Sequence, residues 1–155
     1  MVRLDKARMA VSVMLLIARW SDDGSPASGS SLAQQCGFKP RTLEALLQNL
    51  SRSGFLESVR GQNGGYRLSI SSHFSLGELI RAALDFGPPS RERLGLNENS
   101  ASPIESVHQI VDSYLNSGTE KLLSHFDKIP FSKLIEAAKE KGVPSRPHEW
   151  LDFVI

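Results

Sequence analysis

The seven residues from Arg60 to Tyr66, Arg-Gly-Gln-Asn-Gly-Gly-Tyr, constrain the fold more than any other stretch of this 155-residue chain. Asn-Gly and Gly-Gly steps supply positive φ angles at little cost, so the run predicts the tight turn of a β-hairpin. An arginine precedes the turn and an aromatic residue follows it. We expect the strands over 55–60 and 66–70, the second because apolar and polar residues alternate along it.

The segment before the hairpin has the spacing of a helix-turn-helix. Ser31 and Gln34 form the pattern of a capping box, so the first helix of the unit is expected to begin at Ser31 and to stop at Gly37. A small residue lets the two helices approach, a glycine permits the turn, and leucines at intervals of three to four follow on the second helix. These positions are Leu32, Ala33, Cys36, Gly37, Leu43, Leu46, Leu47 and Leu50. Pro40 suits the first turn of the second helix, expected over 40–53.

The outer face of this second helix presents side chains that suit the reading of base pairs. Arginine pairs with guanine, glutamine or asparagine with adenine, glutamate with cytosine, and a methyl group contacts thymine. The residues are Arg41, Thr42, Glu44, Ala45, Gln48, Asn49 and Arg52, with Lys39 just before the helix. Arg60, at the mouth of the hairpin, is suited to enter a minor groove. The alternative for all of them is an ordinary solvated surface. Helix, turn, helix and hairpin together predict a winged helix-turn-helix, which is a DNA-binding unit.

Residues 4–20 predict a first helix that is apolar enough to be buried on most sides. Lys6 and Arg8, near its start, are suited to reach a phosphate, and solvated charges at a helix end are an equal alternative. The apolar run 9–18 imitates part of a signal peptide, but Asp5 lies in the region that should be positive. The run is also too short to span a bilayer. We therefore expect a cytoplasmic protein with no membrane partner.

Two further capping-box patterns follow the hairpin. Ser75 to Glu78 opens a helix to about residue 86, and Ser102 to Glu105 opens a long helix to about residue 126. An apolar stripe on the long helix includes Ile104, Val107, Val111, Tyr114, Leu115 and Leu122. An extended amphipathic helix outside a compact unit suits packing against its own copy in a dimer, and packing within the same chain is the alternative. A short helix over 131–141 and an apolar tail complete the chain.

These elements predict a mostly α protein with a small β-hairpin. We divide it into a winged helix-turn-helix domain (1–86), a loop and long dimerisation helix (87–129), and a C-terminal helix and tail (130–155). The net charge is only +1. Residues 1–72 hold nine Lys and Arg against five Asp and Glu, whereas residues 73–155 hold nine against twelve. A basic first half favours a nucleic-acid partner for that half.

Cys36 is the only cysteine. An intramolecular disulfide and a multi-cysteine zinc site are therefore excluded, which fits a reducing compartment. The four histidines, at 73, 108, 125 and 148, lack the spacing of metal ligands. We expect no metal and no cofactor. For Cys36 itself, packing as a small apolar residue under the turn is favoured, and a redox switch is the alternative.

The stretch 43–68, with residues 75–82 after it, strongly resembles the Rrf2 family of bacterial winged-helix regulators, which includes iron–sulfur, nitric-oxide and cysteine-metabolism regulators. The family motif is filled by Leu43-Glu44, Gly54-Phe55-Leu56, Val59-Arg60-Gly61 and Gly64-Gly65-Tyr66. Lys6, Arg8, Ala10 and Val11 also match, and the resemblance spans about residues 3–135. It implies a homodimer, bridged by the long helix, that reads a pseudo-palindromic operator in double-stranded DNA, usually as a repressor. By position, Glu44 and its neighbours would contact bases, and Arg60 in the glycine-rich hairpin would enter the minor groove.

The chain departs from the cluster-binding members of that family in one respect. Those members carry three cysteines in the loop before the long helix, whereas residues 87–106 contain none. Because thiolates are the usual ligands of iron–sulfur clusters, we expect a regulator without a cluster. Its signal is left open between a small molecule bound under the long helix and a partner protein.

Two other classes of function compete with a DNA-binding regulator. The first is a winged-helix interaction module that binds a partner enzyme instead of DNA. The second is an enzyme, which is disfavoured because no histidine lies near Cys36 in sequence and because the glycine run lies between strands rather than before a helix.

Overall fold

The structure of the protein, a computed structural model, describes residues 4–69, 73–84 and 103–145, without the side chains of residues 4 and 103–105. The helices within these ranges are α1 (Leu4–Trp20), α2 (Gly29–Cys36), α3 (Pro40–Arg52), α4 (Leu76–Leu84), α5 (Pro103–Asp127) and α6 (Phe131–Glu140). Strands β1 (Leu56–Val59) and β2 (Gly65–Leu68) lie between α3 and α4. The prediction of a mostly helical fold with one small hairpin is confirmed.

Helix α1 lies at the centre of the core, as its dense apolar sequence predicts. Ala10, Val13, Met14 and Ile17 are all fully buried. The leucines of α3, Leu32 of α2 and side chains from the hairpin, α4 and α6 pack around it in one continuous cluster. Burial of this apolar surface stabilises the arrangement, and it leaves the opposite face of α3 in water.

Helix α2 begins earlier than the sequence pattern indicated. Ser28, not Ser31, is its N-cap: the Ser28 backbone is extended, and its Oγ accepts a hydrogen bond from the Ser31 amide at 3.2 Å. The prediction of a capping box between Ser31 and Gln34 is therefore wrong. The reason is that Ala27 pairs with Tyr66 of β2, so the chain leaves the sheet and enters the helix within two residues. Gly37, with φ of 68°, ends the helix as expected.

The hairpin, hereafter the wing (residues 56–68), pairs Leu56 with Leu68 and Val59 with Gly65 in antiparallel register. Its strands are shorter than the predicted 55–60 and 66–70, and residue 70 lies outside the described residues. The positive φ angles occur at Gly61 and Gly65, not at Gly64 of the Asn-Gly step. The Gly64 amide instead donates to the Gly61 carbonyl at 3.0 Å and closes the turn between them.

The junction before α4 contains the capping box that the sequence predicted. The Glu78 amide donates to Ser75 Oγ at 3.1 Å, and the Ser75 amide donates to Glu78 Oε2 at 2.7 Å. This junction also pairs with the segment between α5 and α6, because Phe131 donates its amide hydrogen bond to the Phe74 carbonyl. The Phe74 and Phe131 rings stack at 4.7 Å between centroids. Residues 74–76 therefore hold α6 against the core.

Helix α5 runs past the body of the protein, and only part of it is buried. Leu123 is fully buried, in a cluster with Ile80 of α4 and Ala7 of α1. Ser102, the expected cap of α5, lies outside the described residues, as do residues 85 and 86 at the expected end of α4 and the tail from residue 146. The division of the chain into three parts stays a prediction.

Candidate nucleic-acid interface

Helix α3 separates its residues into a buried face and an exposed face. Leu43, Leu46, Leu47 and Leu50 are buried in the core. The exposed side chains on the other face are those of Lys39, Arg41, Thr42, Glu44, Ala45, Gln48 and Arg52. Pro40 occupies the first position of the helix, as expected. All of the residues predicted to read bases from α3, except Asn49, therefore lie in solvent on a single helix.

Asn49 does not belong to this exposed set. Its side chain is half-buried, and Nδ2 donates a hydrogen bond of 2.9 Å to the carbonyl oxygen of Ala82 in the last turn of α4. This hydrogen bond joins residues that are 33 positions apart and links the middle of α3 to α4. The prediction that Asn49 faces the groove with its neighbours is wrong, since the residue instead fixes α3 against α4.

The tip of the wing projects into solvent. Arg60 and Gly61 are exposed, whereas Gly64 and Gly65, where the turn meets β2, are half-buried. A Cβ atom on Gly65 would lie 2.2 Å from the carbonyl oxygen of Ala27, and one on Gly64 would lie 2.3 Å from that of Val59. Because these glycines lack a side chain, the backbone at Gly65 can lie close to Ala27 and the backbone at Gly64 close to Val59.

A hydrogen bond between side chains connects the wing to α3. The hydroxyl of Tyr66 donates to Glu44 Oε1 at 2.8 Å, and Gln48 Nε2 lies 3.4 Å from the same oxygen. Burial of the Tyr66 ring, and then the hydrogen bond and charge of Glu44, raise the pKa of Tyr66 to about 12. The hydroxyl therefore remains a donor throughout the neutral pH range.

Lys6 and Arg8 of α1 occupy two different surfaces. Lys6 is half-buried in a groove of about 680 Å³ that it shares with Thr42, Ala45 and Arg52 of α3. Arg8 is exposed beside a neighbouring groove of about 580 Å³, which Cys36 also lines. Lys6 therefore lies beside the exposed residues of α3, whereas Arg8 lies in a different groove that no α3 residue lines.

Some charged residues of α3 and the wing form ion pairs, and others do not. Arg67 and Glu57 face each other across the two strands of the wing, with Nε 2.9 Å from Oε2. Arg41, Arg52 and Arg60 form no ion pair with any residue in the described ranges. Unpaired guanidinium groups on an exposed face are available to an anionic partner such as a phosphate backbone.

Apolar side chains line the exposed face of α5. They are Val107, Ile110, Val111, Tyr114, Leu115 and Leu122. Ile110 and Tyr114 are the most open, with 61% and 78% of their surface exposed. Ile104 lies on the same helix, but its side chain is outside what the structure describes. A row of large apolar residues in water marks an interaction surface.

Cys36 is half-buried against the core below the turn between α2 and α3. Burial raises the pKa of its thiol, which disfavours the reactive thiolate. Its surroundings are those of a packed small residue, the alternative that the sequence favoured.

Sequence reasoning missed three features of the structure, two at the wing and one on α5. The Tyr66–Glu44 bond and the Ala27–Tyr66 pairing join residues that are distant in sequence, so no local pattern indicated either. Ile110 was omitted from the apolar stripe, although its spacing of three residues from Val107 is a helical one and should have identified it.

A helix-turn-helix whose second helix exposes a polar face beside a projecting wing defines the class of winged-helix regulators. Residues 4–137 match the family model of Rrf2, described as an iron-dependent transcriptional regulator, and the chain belongs to this family. The family is one of transcriptional regulators and not of enzymes.

Individual relatives agree with this assignment. The chain is 32% identical over 123 residues to a protein of Haemophilus influenzae named as an HTH-type transcriptional regulator, covering 74% of this chain and 80% of that protein. It is 36% identical over 80 residues to the HTH-type transcriptional regulator IscR of Photobacterium profundum, covering 52% and 46%. The chain thus spans about half the length of the IscR relatives that it matches. The solved structure of T. potens IscR has the same fold, with a TM-score of 0.61, 22% identity and coverage of 88% and 87%.

The side chains that this chain offers as metal ligands do not fit an iron–sulfur cluster. The whole chain has one cysteine. The described ranges contain no group of three His, Cys, Asp or Glu side chains that could hold a metal ion. Iron–sulfur clusters are held by several thiolates, which a single half-buried Cys36 does not supply.

None of the described helices is both long enough and apolar enough to cross a bilayer.

Proposed function

We propose that the protein is a sequence-specific, DNA-binding transcription regulator that acts as a cytoplasmic homodimer without a cluster. The observation that supports this most strongly is the arrangement of α3, whose leucines are buried while its polar side chains lie exposed beside the wing. A helix presented in this way matches the width of a major groove.

In this proposal α3 enters the major groove and the wing follows the adjacent minor groove. Arg41, Gln48 and Thr42 would contact base edges, while Lys39, Arg52 and Lys6 would contact phosphates on either side. Arg60 would insert into the minor groove, where the negative potential is concentrated. Gly61, Gly64 and Gly65 would let the backbone of the wing approach the duplex closely.

The apolar face of α5 supports the homodimer. A stripe of six large residues on one long helix is costly to leave in water, and a second copy of the same helix would cover it symmetrically. Two copies related by a twofold axis would read two half-sites in inverted orientation, which gives a pseudo-palindromic operator. We further propose repression as the mode of action, with a small molecule or a partner protein as the signal.

Selection of bound duplexes from a randomised pool, followed by mobility shift at two salt concentrations, tests the proposal. We expect a preferred sequence with inverted symmetry. Arg60→Ala should weaken binding to it roughly tenfold and reduce the salt dependence by about one counterion. Lys139→Ala, which removes an equal charge from the exposed surface of α6, is the matched control and should have little effect.

Equally weak binding to every sequence would contradict the proposal. A partner protein retained from extract after nuclease treatment, together with absent operator binding, would favour the interaction module instead. In that case the apolar face of α5 would be the surface that binds the partner.

A further inference from the structure

We infer that Tyr66 is a positioning residue for base discrimination: its hydroxyl holds the Glu44 carboxylate so that the second carboxylate oxygen meets an exocyclic amino group in the major groove. The inference rests on the proposed function and deepens it, because it assigns a role to a wing residue that need not touch DNA.

The two oxygens of Glu44 have different surroundings. Oε1 accepts the hydrogen bond from Tyr66 at 2.8 Å and lies 3.4 Å from Gln48 Nε2. Oε2 has no donor among the described residues, and it lies near the first turn of α2, where a Cβ on Gly29 would be 3.4 Å away. One oxygen is thus held by the protein, and the other is left open beside the groove between α2 and α3.

The Tyr66 hydroxyl is itself firmly placed. Its ring is 9% exposed and belongs to the core, and its backbone pairs with both β1 and Ala27. A donor fixed in this way restricts the rotamers of an exposed glutamate, which would otherwise sample several. The loss of side-chain freedom is therefore incurred when the protein folds and not when it binds.

A carboxylate on a DNA-binding face acts mainly by rejecting wrong bases. It only accepts hydrogen bonds, so it suits the amino groups of cytosine or adenine and is repelled by the acceptors of guanine and thymine. Close to phosphates its negative charge reduces affinity for DNA in general. Glu44 would therefore contribute to specificity more than to affinity, which is a form of discrimination by repulsion.

The high pKa of Tyr66 agrees with this role. Burial raises it first, and the bond to Glu44 and the Glu44 charge raise it further, to about 12. The hydroxyl thus stays protonated and keeps donating to Glu44 under all conditions in which such a protein would bind DNA.

Tyr66→Phe tests the inference, because it removes the hydroxyl and keeps the ring in the core. We expect discrimination at one base pair per half-site to fall about fivefold, the equivalent of one ordinary hydrogen bond. Binding to the preferred operator should change less. Ser113→Ala, which removes a hydroxyl from the exposed surface of α5, is the control for preference. Thermal melting verifies that each variant folds.

A double-mutant cycle separates positioning from packing. Glu44→Ala should abolish the same base preference, and adding Tyr66→Phe to it should change nothing further. If Tyr66 acted only by holding the wing, the effects of the two substitutions on base preference would be independent and would add.

A titration without DNA tests the contact itself. The chain has two tyrosines, so Tyr114→Phe leaves Tyr66 as the only one. In that background Glu44→Gln should lower the alkaline midpoint of tyrosine absorbance, because the negative neighbour is removed. An unchanged midpoint would overturn the inference whatever the protein binds.

The outcomes with DNA are also distinguishable. Unchanged base preference in Tyr66→Phe, with operator binding intact, overturns this inference alone. Absence of any sequence preference in the wild-type protein overturns the proposed function and this inference with it.

Discussion

Ala27 and Tyr66 exchange both of their backbone hydrogen bonds, each 2.8 Å between nitrogen and oxygen. This pair adds a third short segment to the two-stranded wing, on the side of β2 away from β1. Because Ser28 then caps α2, the pair fixes the wing relative to the helix-turn-helix. The spacing between α2 and the wing therefore depends on two backbone hydrogen bonds at one residue pair.

Gly65→Ala should disrupt this connection. The new methyl group would lie 2.2 Å from the Ala27 oxygen and 2.5 Å from its carbonyl carbon, so one backbone segment must move. We expect a loss of about 1–3 kcal/mol in the free energy of unfolding, measured in urea, together with weaker DNA binding. Gly61→Ala is the matched control, since Gly61 also has positive φ but nothing within 4 Å of the added atom. Equal losses in the two variants would attribute the effect to φ alone.

Arg19→Ala should loosen α6 without touching the DNA-binding face. The buried Arg19 guanidinium donates to the carbonyl oxygen of Val143, just after α6, from Nε at 3.2 Å and from Nη2 at 3.1 Å. Removing it leaves that acceptor without these donors, at an expected cost of about 1–3 kcal/mol. Faster hydrogen exchange at the α6 amides would locate the loss. Lys139→Ala should stay within about 0.5 kcal/mol of the wild type, since its side chain is exposed. Unchanged exchange in α6 would contradict the prediction.

The parts of the fold that the sequence predicted correctly depend on short-range patterns. The leucine spacing of α3, Pro40 at its start and the Ser75–Glu78 capping box each involve residues within a few positions of one another. Their physical causes, helical periodicity and local capping bonds, act within the same window. The glycines of the wing belong to this group, although which of them adopt positive φ was not predictable from the Asn-Gly step.

The parts that failed depend on contacts between distant segments. Ser28 caps α2 because Ala27 is paired with β2, so the local Ser31–Gln34 pattern was overridden. Asn49 points inward because α4 places the carbonyl oxygen of Ala82 within 2.9 Å of its side-chain nitrogen. In both cases the competing interaction comes from a segment that the local sequence does not contain.

The Cys36 thiol should react slowly in the folded protein. Burial raises its pKa, so at pH 8 its thiolate fraction should fall below that of an unfolded cysteine, whose pKa is about 8.5. The folded state thus binds this proton more tightly, and its stabilising contribution is present at low pH and lost as the pH rises above the unfolded value. A thiol-reactive dye should modify one group per chain, several-fold faster in urea than in buffer. Faster reaction in the folded state would contradict this prediction and favour the alternative interpretation of Cys36 as a redox switch.

Val111→Asp should separate the two copies of the proposed dimer. Val111 lies in the middle of the exposed apolar stripe of α5, so a carboxylate there would be buried without a partner when two such helices pack. We expect dimerisation to weaken by about 3 kcal/mol or more, over a hundredfold in the dissociation constant, by sedimentation equilibrium. Helical content should not change, because residue 111 is in water within one chain.

Ser113→Asp adds the same charge to the exposed surface of α5 outside the stripe and should leave the dimer intact. Operator binding should be lost with the dimer, because one half-site contributes only part of the contacts. A Val111→Asp protein that remained dimeric would show that the copies associate through another surface.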